Sequence, residues 1–168
     1  MVSGGPVGAP FADDPSTDGP VVAILADDLI WATRLDRLVR DAGGRPLLLR
    51  STAALERSLQ HPGPALAGRP NGVVVDLTSR AYDGIDAVRR AASAGVPVVA
   101  VGQHDDREAR EAARTAGAAE VFAYGRLFSA GPRVLGGWVA GLPRGSAGPV
   151  EPSAAPAAAT HPGAEART

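Results

Sequence analysis

The sequence predicts an α/β domain built on a doubly wound parallel sheet. Three observations predict it. Apolar runs of strand length recur along the middle of the chain. Each run is continuous rather than alternating, which marks a strand buried on both faces. Between the runs lie segments with apolar residues at helical spacing. Strand followed by helix, five times over, is the pattern of a parallel sheet covered by helices.

The elements follow in order. Val21-Val22-Ala23-Ile24-Leu25 forms the first strand. Trp31, Leu35, Leu38, Val39 and Ala42 then fall on one face of a first helix, which Gly43-Gly44 ends. Pro46-Leu47-Leu48-Leu49 is the second strand, and Ala54, Leu55 and Leu59 mark a short second helix. The Gly and Pro of His61–Asn71 read as a loop. Val73-Val74-Val75 is the third strand. Ile85, Val88 and Ala92 mark the third helix, stopped by Gly95-Val96-Pro97. Val98-Val99-Ala100-Val101 is the fourth strand. Ala109, Ala112, Ala113 and Ala116 give the fourth helix a small-residue face, and Asp105-x-x-Glu108 offers it a capping box. Val121-Phe122-Ala123 is a shorter fifth strand. Val134, Leu135, Trp138 and Val139 make a fifth helix, weakened by Gly136-Gly137. Short, right-handed crossovers leave few topologies. The flavodoxin-like (βα)5 order, 2-1-3-4-5, is the commonest for this size, and it places ligands near the switch between strands 1 and 3.

A length of 168 residues sets one domain as the expectation. Gly 21 and Pro 15 are high for one packed domain, and they concentrate in the flanks. Residues 1–19 carry no apolar period, and residues 143–168 are a Pro/Ala/Gly run with almost no large apolar residue. Both read as disordered tails around a domain at 20–142.

Composition excludes several functions. A net charge of −1 gives no global field for nucleic acid or an acidic membrane. With no Cys there are no disulfides, thiol nucleophiles or thiolate metal sites. The three His are scattered, against a His-cluster metal site. All 17 basic residues are Arg, which excludes chemistry that needs a lysine amine. The N-terminus lacks a basic n-region, and no apolar run approaches a membrane span. A cytoplasmic protein is the expectation.

Chemistry gathers where strands end in acid. The first strand runs into Asp27-Asp28 and the third into Asp76. In the order 2-1-3-4-5 these strands are neighbours, so the carboxylates converge. Like charges a few ångström apart repel by several kcal/mol at an effective dielectric of about 20. Such a cluster persists if it is solvated, partly protonated or metal-bound, and hard oxygen ligands with open positions suit Mg²⁺. Each Asp is also a candidate helix cap. Trp31, Phe122 and Tyr124 read as packing. His104 reads as a loop residue on the same rim, and Arg107–Glu111 as a solvated pair. There is no P-loop, GxGxxG turn or GxSxG elbow.

Over residues 21–141 the chain resembles the receiver domain of two-component response regulators. The residues that carry the likeness are Asp27-Asp28, Asp76, Asp83-Gly84 opening the third helix, and Ala116-Gly117-Ala118 before the fifth strand. The resemblance implies that Asp76 is a phospho-accepting nucleophile. It implies Mg²⁺ held by Asp28, Asp76 and the Thr78 carbonyl, with Asp27 acting through water. It also exposes departures. Gly102 stands where receivers carry the Ser or Thr that hydrogen-bonds the phosphoryl group. Tyr124 stands in place of the Lys, Val121 in place of the switch aromatic, and Arg80 where a Pro is often found. Arg126 and Arg80 are the candidate substitute cations.

The implied function is a divergent, stand-alone pseudo-receiver with a protein partner, either a histidine kinase or a downstream signalling protein. It would be a monomer or homodimer with contacts around the fourth helix, fifth strand and fifth helix. It would not be an enzyme beyond self-phosphorylation of Asp76. Two alternatives stand beside it. One is a Mg²⁺-dependent phosphoryl-processing enzyme or small-ligand binder on the same fold. The other is a scaffold domain with a vestigial site.

Overall fold

The computed structural model describes residues 19–60 and 69–143. The two expected tails, apart from Gly19 and Pro143, and most of the His61–Asn71 loop lie outside the described residues. The elements are β1 (Val21–Leu25), α1 (Leu29–Asp41), β2 (Arg45–Leu49), α2 (Thr52–Gln60), β3 (Gly72–Asp76) and α3 (Gly84–Ser93). Then come β4 (Val98–Gly102), α4 (Arg107–Thr115), β5 (Glu120–Ala123), α5 (Tyr124–Ala130) and α6 (Pro132–Ala140).

The five strands form one parallel sheet in the order β2-β1-β3-β4-β5, as the alternation predicts. All five residues of β1, β3 and β4 are buried. That is why these strands read as unbroken apolar runs. Alternate side chains leave opposite faces and feed two cores. Val22, Ile24, Val74, Val99 and Val101 meet Leu35 and Val39 of α1, Leu127 of α5 and Leu135 of α6. Ala23, Leu25, Val73, Val75, Val98 and Ala100 meet Leu55 of α2, Val88 of α3 and Ala113 of α4. Fully burying one such Leu, Ile or Val contributes about 1.5–3 kcal/mol. The edge strand β2 is only partly covered, and Leu48 is exposed there.

Local chemistry sets the helix ends. Asp28, Asp83 and Asp106 are the N-caps of α1, α3 and α4, each accepting from backbone N–H groups of the first turn. The cap of α4 is therefore Asp106, bonded to Ala109 N, and not the Asp105 of the expected capping box. Gly43 closes α1 with φ +83°, a left-handed conformation that glycine adopts without strain.

Two expectations need correction. The strand-to-helix step after β5 is immediate, so Tyr124 begins α5 and does not end a strand. The helix expected around Val134–Val139 is α6, separated from α5 at Gly131, where φ is +58°. On α4, Ala113 is buried, and Ala109, Ala112 and Ala116 are half-buried. Among the described residues, the exposed large apolar residues are Leu29 (63 %), Ile30 (65 %) and Leu48 (45 %). Two of these three open α1, beside the acidic strand ends.

Candidate functional site

Asp76 ends β3 at the centre of the carboxyl edge of the sheet, only 1 % exposed. Its position follows from β3 being the middle strand, flanked by β1 and β4. Gly84 makes room behind it: a Cβ there would stand 3.0 Å from Leu77 Cα and 3.3 Å from Asp76 O. The start of α3 can approach the loop this closely only without a side chain.

The carboxylate is held on one oxygen. Oδ1 accepts from Thr78 N and from Thr78 Oγ1, both at 2.8 Å. Thr78 Oγ1 also lies 3.4 Å from the Tyr124 hydroxyl. Since the Thr78 proton goes to the carboxylate, the tyrosine is the donor in that second contact. The result is a directed chain from Tyr124 through Thr78 to Asp76. Oδ2 is buried and has no hydrogen-bond partner.

Tyr82 closes the other side. Its hydroxyl lies 2.7 Å from Leu25 O and 3.1 Å from Asp76 O, bridging the ends of β1 and β3. Burial pushes the Tyr82 phenol above its ordinary value, the Asp76 charge adds to this, and Asp27 contributes least. Tyr124 is likewise raised, first by burial and then by its interaction with the Asp76 carboxylate. Both phenols are therefore firmly protonated donors at neutral pH.

Tyr124 also belongs to an aromatic stack. Its ring lies 4.0 Å from Trp31 and 5.9 Å from Phe128, and Trp31 lies 5.5 Å from Phe128. The Arg34 guanidinium sits 5.2 Å above the Trp31 ring. Trp31 thus does pack, as expected, but it packs against a site residue.

The other expected site residues are placed differently. Asp28 is exposed, and its Oδ1 accepts from Ile30 N at 2.8 Å and Trp31 N at 3.1 Å. It serves α1 as a cap. Asp27 is half-buried at the end of β1. Arg80 and Arg126 are exposed, in the β3–α3 loop and on α5. Neither is recorded as hydrogen-bonded to Asp76, whose carboxylate accepts from Thr78. His104 is exposed beside Asp105.

Mg²⁺ requires oxygen ligands converging at about 2.0–2.1 Å with near-octahedral geometry. Among the described residues, no group of three His, Cys, Asp or Glu side chains is placed to hold a metal ion. Asp28 is turned to the helix, and Thr78 is turned to Asp76. Tyr82 occupies the gap between the β1 and β3 ends.

Sequence reasoning missed Tyr82 altogether and took Tyr124 for packing. Thr78, expected to contribute its carbonyl, also reaches Asp76 through its backbone N–H and its hydroxyl. One signal was available: the chain has two Tyr, one directly after β5 and one in the loop that follows β3.

Comparison with known proteins points one way. No family model matches the sequence, and no curated protein matches it. The fold is that of response-regulator receiver domains. A response regulator receiver protein from Burkholderia phymatum shares 27 % identity at a TM-score of 0.59, over 72 % of this chain and 95 % of that one. The receiver domain of a sensor histidine kinase from Pseudomonas aeruginosa PAO1, with a magnesium ion coordinated in its active site cleft, shares 21 % identity at a TM-score of 0.59. That match covers 73 % of this chain and 98 % of that one. The Mn²⁺-bound form of the response regulator Rcp1 shares 18 % identity at a TM-score of 0.59, over 74 % and 99 % of the two chains.

Proposed function

We propose that this chain is a divergent receiver-like signalling domain that acts through protein contacts. Its Asp76 site is closed by hydroxyls and is not assembled around Mg²⁺. One observation carries the reading: Tyr124, standing where receivers have Lys, delivers its hydroxyl through Thr78 to Asp76. A lysine at that position would pair with a phosphoryl group. A phenol held protonated by burial offers one neutral donor, and here that donor is already engaged. The exposed Leu29 and Ile30, beside Trp31 at the start of α1, supply an apolar surface for a protein partner such as a kinase or downstream signalling protein.

The test uses Trp31, which stacks on Tyr124 and so reports on the site. In a Trp138→Phe background, Trp31 fluorescence is followed during titration with Mg²⁺, with and without beryllofluoride. The expected result is no saturable change at millimolar Mg²⁺. A saturable change that Asp76→Ala abolishes would overturn the closed-site reading, and would make Asp76 a live phospho-acceptor.

A further inference from the structure

Asn71 ties three parts of the chain together at the amino edge of the sheet. Its Oδ1 accepts from Val21 N, at the start of β1, at 2.7 Å. Its Nδ2 donates to Pro143 O, just beyond α6, at 2.8 Å. Its own backbone N–H donates to Val21 O at 2.8 Å. The two side-chain contacts fix the orientation of the amide, because Val21 N only donates and Pro143 O only accepts. Asn71 is the one asparagine in the chain, and a glycine follows it.

Packing requires that glycine. A Cβ at Gly72 would stand 2.7 Å from Trp138 Cη2 and 2.9 Å from Leu142 Cδ1. The helix α6 and the residues after it close over the strand only where no side chain stands. The same lack of a side chain leaves the Gly72 nitrogen unshielded toward the Asn71 amide, the arrangement in which an asparagine cyclises and loses ammonia. In the fold both partners are engaged. Gly72 opens β3 opposite Val22, and each end of the Asn71 amide has its hydrogen bond.

We propose that Asn71-Gly72 is a deamidation site held closed by the bond to Pro143, so that modification follows release of the end of α6 and makes that release permanent. The Gly72 nitrogen bonds to Asn71 Cγ, the Cγ–Nδ2 bond breaks, and Nδ2 leaves as ammonia with the Gly72 proton. Water then opens the cyclic imide to aspartate or isoaspartate. An aspartate still accepts from Val21 N, but it has no proton to donate to Pro143 O and sets a negative charge against that carbonyl. Isoaspartate also adds a carbon to the main chain where β3 begins, which disturbs the pairing of Gly72 with Val22. The inference is independent of Asp76, which lies at the other edge of the sheet.

The test incubates the full chain at mildly alkaline pH, folded and in urea. Peptide mass spectrometry follows the small mass gain of amide-to-acid conversion at residue 71, with isoaspartate detected in parallel. Isomerisation at Asp18-Gly19 or Asp83-Gly84 leaves the mass unchanged and is thereby told apart. Deamidation is expected in urea, and roughly tenfold or more slower in the folded chain, where it waits on local opening. Leu142 is buried, so Leu142→Ala loosens the end of α6 while leaving Asn71 and Gly72 in place, and it should speed the folded-state reaction. Leu142→Val should speed it less. Asn71→Asp, which supplies the product directly, should hasten amide exchange at Gly141 and Leu142 and leave Val21 protected. No mass gain in urea, equal rates in folded and unfolded chain, or parent-like rates in both Leu142 variants would overturn the proposal. So would parent-like exchange at Gly141 and Leu142 in Asn71→Asp.

Discussion

Asp28 and Asp76 carry the same side chain at the same end of neighbouring strands, and they meet opposite fates. Asp28 is exposed and accepts two backbone N–H groups at the start of α1. Asp76 is buried, and it accepts from the backbone N–H and hydroxyl of Thr78, two residues on. One carboxylate keeps its hydration and gains a helix cap. The other loses water and gains no cation. Asp76 is the last residue of β3, whereas Asp28 lies three residues beyond β1, where it is free to turn onto its helix, and burial separates their fates. The cost is borne at Asp76 Oδ2, because a dry, unpaired carboxylate oxygen is worth roughly 1–3 kcal/mol of instability.

Substitutions can break this contrast, and the largest effect is expected at Thr78. Thr78→Val keeps the shape and removes the hydroxyl that Asp76 and Tyr124 share. Chemical denaturation should show a loss of about 2 kcal/mol, the scale of a hydrogen bond to a charged group. An unchanged midpoint would mean that the Thr78 backbone N–H holds Asp76 alone. Next comes Asp28→Ala, with an expected loss of about 1 kcal/mol, as for any N-cap. Asp28→Asn should recover most of it. Failure of Asn to rescue would mean that Asp28 acts through its charge.

Asp76→Asn is expected to move stability the other way, by a gain of roughly 1 kcal/mol, because it removes an unpaired buried charge and keeps the acceptor for Thr78. A marked loss would instead reveal an ion or water compensating Oδ2. The two aspartates would then differ in sign, although each change removes one negative charge.

Alkaline pH sharpens the contrast in a final, graded way. Both phenols are raised in the folded state, so the unfolded chain loses their protons first. Their contribution is complete below about pH 10 and falls as pH rises beyond it, by at most ~1.4 kcal/mol per pH unit for each tyrosine. Tyr82→Phe and Tyr124→Phe should each flatten that decline. An identical slope in the double variant would assign the decline to the rest of the molecule.

The sheet was legible because its physics is local. Val73-Val74-Val75 between turn residues reads as a buried strand, and burial on both faces follows from the absence of alternation. The helix boundaries at Gly43 and Gly95 were legible for the same reason. Asp76 was legible because an acid closing an unbroken apolar run marks the carboxyl end of a buried strand, where this fold places its ligands. The state of the site was not legible. Whether Asp28 turns inward to a metal or back to its own helix depends on side-chain rotamers, which strand periodicity does not encode. Tyr82 reaches Leu25 O across 57 positions of sequence, and no spacing rule covers that distance.

The placement of the two tyrosines has a consequence for the charge of the whole molecule. The chain has no Cys, and its basic side chains are all Arg, so the only side chains that titrate between histidine and arginine are Tyr82 and Tyr124. Both sit at Asp76, and both hold their protons more tightly than a free phenol does. From the end of the histidine titration to beyond pH 10, the side-chain charge is therefore constant. Once the chain's α-amino group has titrated, at about pH 8, electrophoretic mobility should be flat to beyond about pH 10, and the next step in it would announce deprotonation at the Asp76 site.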